Sequence, residues 1–411
     1  MTGTLSVTMF NVGFGDCFLV AIPTTAGVRR ILFDCGRHKG GDIANQKMVD
    51  AVIAAATDPD DVPRIDLIVA THRHKDHISG FKMKGWDKVE VREVWMPWTE
   101  DPNDPNARGV VEGQVRAAAA ALQAFAATTP ALRGVEKERQ EQMAGVVGLA
   151  LTNEAAMDTL YHGFSGKPER RYLPDRVAPQ QPLTVPGMPG MRFHVMGPPR
   201  AEATMGIMDP PKAETFKRFA LAEAAANGDG GGAAAPPAFA APWILDKAPN
   251  ALLNDSDQEA VRNLASSASL TALSAAIDNA INNTSLVIMV EVGSAFLLFC
   301  ADAQWGNWQT ILAEPHWCDM IGKTTFLKVG HHASHNASPV TLIDKLLPNG
   351  IPAMISVDPA AYNNVPYPLL LGAFTEHRYQ VARSDEPQNA HGYSASNQDA
   401  ITLELAFGDP A

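Results

Sequence analysis

Asp66-Leu67-Ile68-Val69-Ala70-Thr71-His72-Arg73-His74-Lys75-Asp76-His77-Ile78-Ser79-Gly80 decides how the rest of the chain is read. It opens as a short apolar run suited to a buried strand, then turns abruptly polar. Residues 72–77 hold three imidazoles and a carboxylate. A strand end is rigid, so the loop leaving it can aim several side chains at one point. His72 and His74, two apart, point the same way from an extended segment and can share one metal ion. Asp76 and His77 fall one turn further on and reach a second ion nearby. Neutral imidazole with carboxylate is the donor set that a borderline divalent ion prefers.

The other sequence features are those of a globular protein. Of 411 residues, 46% are hydrophobic and 19% charged, enough for a substantial core. The net charge of -12 argues against a surface built for non-specific binding to nucleic acid. It leaves a nucleic-acid substrate open, because two bound dications would make the site itself positive. No apolar run reaches about 18 residues, and Met1 to Thr8 has no basic segment followed by an apolar one. Neither a membrane span nor a signal peptide is expected. Cys17, Cys35 and Cys300 sit in apolar runs and Cys318 stands apart, with no Cys-x-x-Cys spacing. The expectation is reduced thiols in a cytoplasmic protein.

Residues 4–10, 17–22 and 28–33 read as strands, the third ending in Asp34-Cys35-Gly36. Asp34 can emerge at the edge that carries the histidine loop and bond a ligating imidazole or the loop backbone. It can equally be a turn-forming aspartate with no link to a metal. Residues 46–56 have helical spacing, and 89–98 form a strand ending in Trp95-Met96-Pro97-Trp98, which is either pocket lining or core. Residues 106–182 change to an Ala-, Leu-, Gln- and Glu-rich composition, with helices at 117–127 and 135–151. That stretch is a helical insertion serving as a lid or a dimerisation surface. Residues 183–196 read as a strand pair, and 201–280 as a second insertion with an Ala/Gly/Pro-rich loop followed by a helix. Residues 285–292 and 295–299 form a hairpin that ends in Cys300-Ala301-Asp302, and 351–357 is a further strand.

The His-x-His-x-Asp-His pattern resembles the metal-binding signature of the metallo-β-lactamase superfamily. Val12-Gly13-Phe14-Gly15-Asp16-Cys17, Leu32-Phe33-Asp34-Cys35-Gly36 and Leu327-Lys328-Val329-Gly330-His331-His332 are similar to segments of one branch. That branch contains the hydrolase domain of the bacterial DNA-uptake channel and the phosphorylcholine esterases. Phe14 stands where the branch has Gln, Ala301 and Ala333 where it has Gly, and Tyr367 where it has His.

The resemblance implies a single αββα sandwich over residues 1–411: two mixed sheets face to face, helices outside, metals at one edge. It makes Asp302 the carboxylate that bridges two ions and His331 the last ligand. One ion would then sit on Asp76, His77, Asp302 and His331, the other on His72, His74 and Asp302, as Zn²⁺ or Mn²⁺. His332 is left to support the site or touch substrate. Ser334, Asn336 and Ser338 bond a phosphate or cap the next helix. His194 and His162 are the candidates for an extra histidine at the first ion. The implied chemistry is hydrolysis of a phosphodiester, nucleotide or nucleic acid, by a shared hydroxide that Asp76 orients. The alternative substrates are a carboxylic ester, lactone or amide.

Overall fold

The computed structural model describes residues 2–38, 41–110, 153–175, 181–205, 207, 209–216, 280–361, 364–387, 392–396 and 399–408. The helices expected at 117–127 and 135–151, the Ala/Gly/Pro-rich loop and the helix after it lie outside these residues.

Two mixed sheets pack face to face. The first has eight strands: β1 (Gly3–Phe10), β2 (Phe18–Thr24), β3 (Gly27–Phe33), β4 (Arg64–Val69), β5 (Glu90–Pro97), β6 (Glu169–Leu173), β13 (Tyr393–Ser396) and β14 (Ala400–Phe407). Their order is β13-β14-β1-β2-β3-β4-β5-β6. The second holds β7 (Met191–Gly197), β8 (Val287–Val292), β9 (Ala295–Phe299), β10 (Phe326–Lys328), β11 (Pro352–Ile355) and β12 (Gln380–Arg383), in the order β12-β11-β10-β9-β8-β7.

Alternation along each strand builds the layers. Ile31, Phe33, Leu67 and Val69 of the first sheet meet Ile288, Val290, Leu297 and Phe299 of the second in one inter-sheet core. Leu32 and Ile68 turn outward onto Met48, Val49 and Val52 of the helix Gly41–Ala55. Leu298 and Leu327 turn outward onto Trp308, Ile311, Leu370 and Phe374 of the helices Trp305–Leu312 and Pro368–Glu376. Helices therefore cover both outer faces. Among the described residues no helix is long and apolar enough to cross a membrane.

Strands β3 to β6 run parallel, and so do β9 to β12. Parallel neighbours end at the same edge, so each sheet delivers several loops to one rim. Two expectations differ from this architecture. β6 lies inside the stretch expected to be a helical insertion, and one described helix of that stretch, Glu154–His162, comes just before it. Only the second member of the strand pair at 183–196 forms, as β7, with Leu183 making a single bridge to Phe193.

Phe299 joins the two layers. Its ring stacks on Phe33 of the opposite sheet at 3.8 Å and 4°, and it also meets Phe18 and Phe326. Truncation there leaves a cavity as well as losing transfer free energy. Phe299→Ala is expected to lower unfolding free energy by about 3–5 kcal/mol in a urea titration. A loss below about 1 kcal/mol would show that the sheets do not depend on this contact.

Candidate metal centre

The rim where β3, β4, β9, β10 and β11 end gathers the polar residues of the quoted motifs. After β4, residues 70–74 form a short irregular segment with a bend at Arg73, and His74, in extended conformation, leads into the one-turn helix Lys75–Ile78. Gly36 permits the close approach of the β3 turn to that helix, because a Cβ there would lie 2.5 Å from the backbone of His77.

Asp34 takes up both functions open to it. Its carboxylate accepts the Thr71 N–H at 2.8 Å and the Thr71 hydroxyl at 2.7 Å, and it bonds His77 Nδ1 at 2.8 Å. His77, fully buried, reaches across the sheets with Nε2 to Asp302 at 3.0 Å. The Asp302 turn is held by the Asn282-Asn283-Thr284-Ser285 segment: the Ser285 hydroxyl accepts the Asp302 N–H, and the Asn283 side chain accepts those of Gln304 and Asn307.

Ring protons follow from these bonds. The Thr71 hydroxyl gives its proton to Asp34, so at 3.2 Å it accepts from His72 Nδ1 and leaves His72 Nε2 bare. That nitrogen lies 3.2 Å from His74 Nδ1. Two imidazole nitrogens on one tetrahedral Zn²⁺ stand about 3.3 Å apart, given bonds of roughly 2.0–2.1 Å. His332 Nδ1 donates to the Ser356 carbonyl at 2.7 Å, which turns its bare Nε2 toward Asp76 at 3.4 Å and Asp302 at 3.8 Å. Ser334 donates to Asn336 and therefore accepts from His331 Nδ1, leaving His331 Nε2 3.9 Å from Asp302.

Asp76, His77, Asp302 and His332 offer ligand atoms within 4.8 Å of one another, and all four are buried. This group contains His332 where the family pattern led to His331, and His331 sits at the rim with a 20% exposed side chain. The physical reason is backbone handedness. His331, His332 and Ala333 all have positive φ, 45°, 52° and 64°, so the chain coils left-handed and swings the second imidazole inward. Ser334 supports His331 and does not cap a helix by a side-chain bond.

The donor set fits a metal. Asp76 Oδ1, Asp302 Oδ1 and His332 Nε2 are buried with no hydrogen-bond partner. Such orphaned atoms are costly unless a ligand completes them. Burial, reinforced by His77 and His74, pushes the His72 pKa well down. Burial also pushes His74 down to about 4 against the pull of Asp76. Both rings are neutral near pH 7, as ligands must be. Burial opposes the charge on Asp302, but His77, His331 and His332 outweigh it and hold its carboxyl well below the usual range.

Two residues carry charge into this centre from positions the motif reading left without a role. Asp16 and Lys328 are both buried and form an ion pair directly behind Asp302. A lysine inside the apolar run Phe326-Leu327-Lys328-Val329 was the available signal.

The remaining candidates lie elsewhere. His194 bonds Glu291 at 2.7 Å on the outer face of the second sheet, and His162 pairs with Asp158 in the open. Trp95 and Trp98 are buried, their indoles donating to Glu93 and to the Pro199 carbonyl. Tyr367 binds the Ala333 carbonyl through its backbone N–H, and its ring faces His335. The helix Glu154–His162 braces the histidine loop: Asn153 donates to the Arg73 carbonyl, and Tyr161 donates to Glu100, which pairs with Arg73. No family model matches the chain, and no curated protein matches it.

Two expectations follow from the backbone and the charges. Ala301, like Ala333, has positive φ where glycine is the unstrained choice. The Ala333 methyl packs in the outer core, so its loss of about 0.8 kcal/mol offsets the relief of strain. Among the described residues Ala301 belongs to no apolar cluster, so Ala301→Gly should raise unfolding free energy by about 0.5–1 kcal/mol and Ala333→Gly should be near neutral in denaturant titrations.

In metal-free protein, burial opposes the charge on His77 and His332. Asp302 acting on both, with Asp34 on His77 and Asp76 on His332, still raises both above 6.5. Their contribution is whole below 6.5 and is lost as pH rises through the raised values. Asp76 and Asp302 are depressed below 3.8, so theirs is lost as pH falls through the depressed values. The melting temperature of metal-free protein should therefore decline on the alkaline side, and added Zn²⁺ should remove that decline. A flat alkaline profile without metal would contradict a charged His77.

Proposed function

We propose that the chain is a hydrolase of the metallo-β-lactamase fold that uses two divalent ions, Zn²⁺ or Mn²⁺, to cleave phosphodiesters. The observation that carries the reading is the buried convergence of Asp76, His77, Asp302 and His332 beside the 3.2 Å nitrogen pair of His72 and His74. In this reading His72 and His74 hold one ion, Asp76, His77 and His332 hold the other, and Asp302 serves both. The ions, when bound, would polarise a phosphoryl oxygen and lower the pKa of a water.

The chain's own residues do the remainder. Asp34 keeps His77 in register and, through Thr71, fixes the orientation of His72. The Ser356 carbonyl keeps the His332 proton on Nδ1, so Nε2 stays a donor to the centre. Asp76, whose Oδ1 has no hydrogen-bond partner among the described residues, would orient the attacking water. His331 at the rim, its Nδ1–H held by Ser334, faces incoming substrate.

The phosphodiester preference rests on the resemblance of the three motifs to the DNA-uptake hydrolase and phosphorylcholine esterase branch. The acidic chain favours a nucleotide-sized diester over long duplex DNA. Release of nitrophenol from bis(p-nitrophenyl) phosphate with added Mn²⁺ or Zn²⁺ tests this. Turnover should depend on the metal and fall at least about 100-fold in Asp302→Ala. Metal-loaded protein inert on the diester but active on p-nitrophenyl acetate or a lactone would move the assignment to carboxylic substrates.

A further inference from the structure

Lys328 is the residue that the strand pattern does not explain. Its neighbours Leu327 and Val329 pack against the outer helices, so Lys328 falls with Phe326 on the dry inter-sheet face, 2% exposed. A bare ammonium there would be strongly unfavourable. Instead it forms an ion pair with Asp16, stands 3.9 Å from Asp302 Oδ1, and donates to the Ala301 carbonyl at 3.4 Å.

The carboxylates it faces belong to a second group. Asp16, Asp34 and His77 also present ligand atoms within 4.8 Å of one another, all buried. Asp34 and Asp16 lie on the Nδ1 side of His77, at 2.8 and 3.7 Å, and Asp302 and Asp76 on its Nε2 side, while Asp16 Oδ1 also stands 3.8 Å from His332 Nδ1. Asp16 is tied to this place by its backbone, donating to the Asp76 carbonyl and accepting from Gly36. By donor type this group alone would also attract a cation, and Lys328 supplies one.

We propose that the Lys328 ammonium is a resident cation of the centre. It fills the acidic subsite of Asp16 and Asp34, which confines divalent ions to the side of Asp302 that faces His72, His74, Asp76 and His332. It also holds the strained Ala301 turn, whose carbonyl receives both Lys328 and the His331 N–H. The metal-content arm of the test rests on the metal-centre reading, and the stability arm does not.

The test compares wild type, Lys328→Met and the double variant Asp16→Asn/Lys328→Met. Melted in chelator, Lys328→Met should lose roughly 10 °C, because a buried carboxylate is left without its partner. The double variant, in which both charges are gone, should regain most of that loss. After dialysis against Zn²⁺, metal analysis should find one more ion per chain in Lys328→Met than in wild type, and no extra ion in the double variant. A double variant that melts no higher than Lys328→Met would overturn the proposal, as would an unchanged zinc content in Lys328→Met. Should Lys328→Met not fold, the double variant still must, and its failure would equally count against it. Wild type without bound zinc would sink the metal-centre reading alone, and the melting comparison would still judge the role of Lys328.

Discussion

The line Asp34–His77–Asp302 is the interaction on which the rest of the rim depends. Asp34 follows β3 of one sheet and Asp302 follows β9 of the other, and one buried imidazole bonds both at 2.8 and 3.0 Å. Phe33 and Phe299, the residues that end those strands, stack directly behind it. Apolar stacking brings the two strand ends together, and the polar line sets their register at the edge. Neither works alone. The stack is non-directional on the scale of a ligand bond, and an unsupported ion pair at that depth would not repay its desolvation.

Burying Asp16, Asp34, Asp76 and Asp302 within one rim is the main electrostatic demand on the molecule. It is met from the sides by His77, His332 and Lys328, and Asp76 Oδ1, Asp302 Oδ1 and the Asp16 oxygen not paired with Lys328, which have no hydrogen-bond partner, mark where compensation is incomplete. That incompleteness is what makes the site a candidate for metal rather than a structural salt-bridge network. Strain is concentrated in the same place. Asp34, Ala301, His331, His332 and Ala333 all adopt left-handed backbone conformations at strand ends along this edge. Such conformations persist only where the surroundings over-determine them.

Apolar runs with period two or continuous burial were legible as strands, which is why β1 to β5, β8, β9 and β11 fall where hydrophobicity placed them, within a few residues. Of the strands left unread, β14 does carry the period-two signal, with Ile401, Leu403 and Phe407 in the inter-sheet core, and β6 does not. β6 is Glu-Arg-Arg-Tyr-Leu at the edge of its sheet, with one side chain fully buried. β14 returns to pair with β1, where the hydroxyls of Thr8 and Thr402 bond across 394 residues of chain. No local pattern announces so distant a partner. His194 shows the converse error of proximity in sequence: it ends near a Gly-Pro turn but faces outward to Glu291.

The sequence by itself determined the chemistry available: imidazoles and carboxylates grouped after apolar runs, on loops that parallel strands deliver to a common edge. The helix–sheet–sheet–helix layering was legible only as what the resemblance of its motifs implied, and the two mixed sheets with helices on their outer faces are seen in the tertiary structure. Only the tertiary structure decided which of two adjacent histidines turns inward. His331 and His332 are chemically identical, and the choice depends on a left-handed turn held by Ser334, Asn336 and the Ser356 carbonyl of a neighbouring strand. The Lys328–Asp16 pair was decided in the same way. Its members are 312 residues apart, and only the meeting of the two sheets makes one the counter-ion of the other.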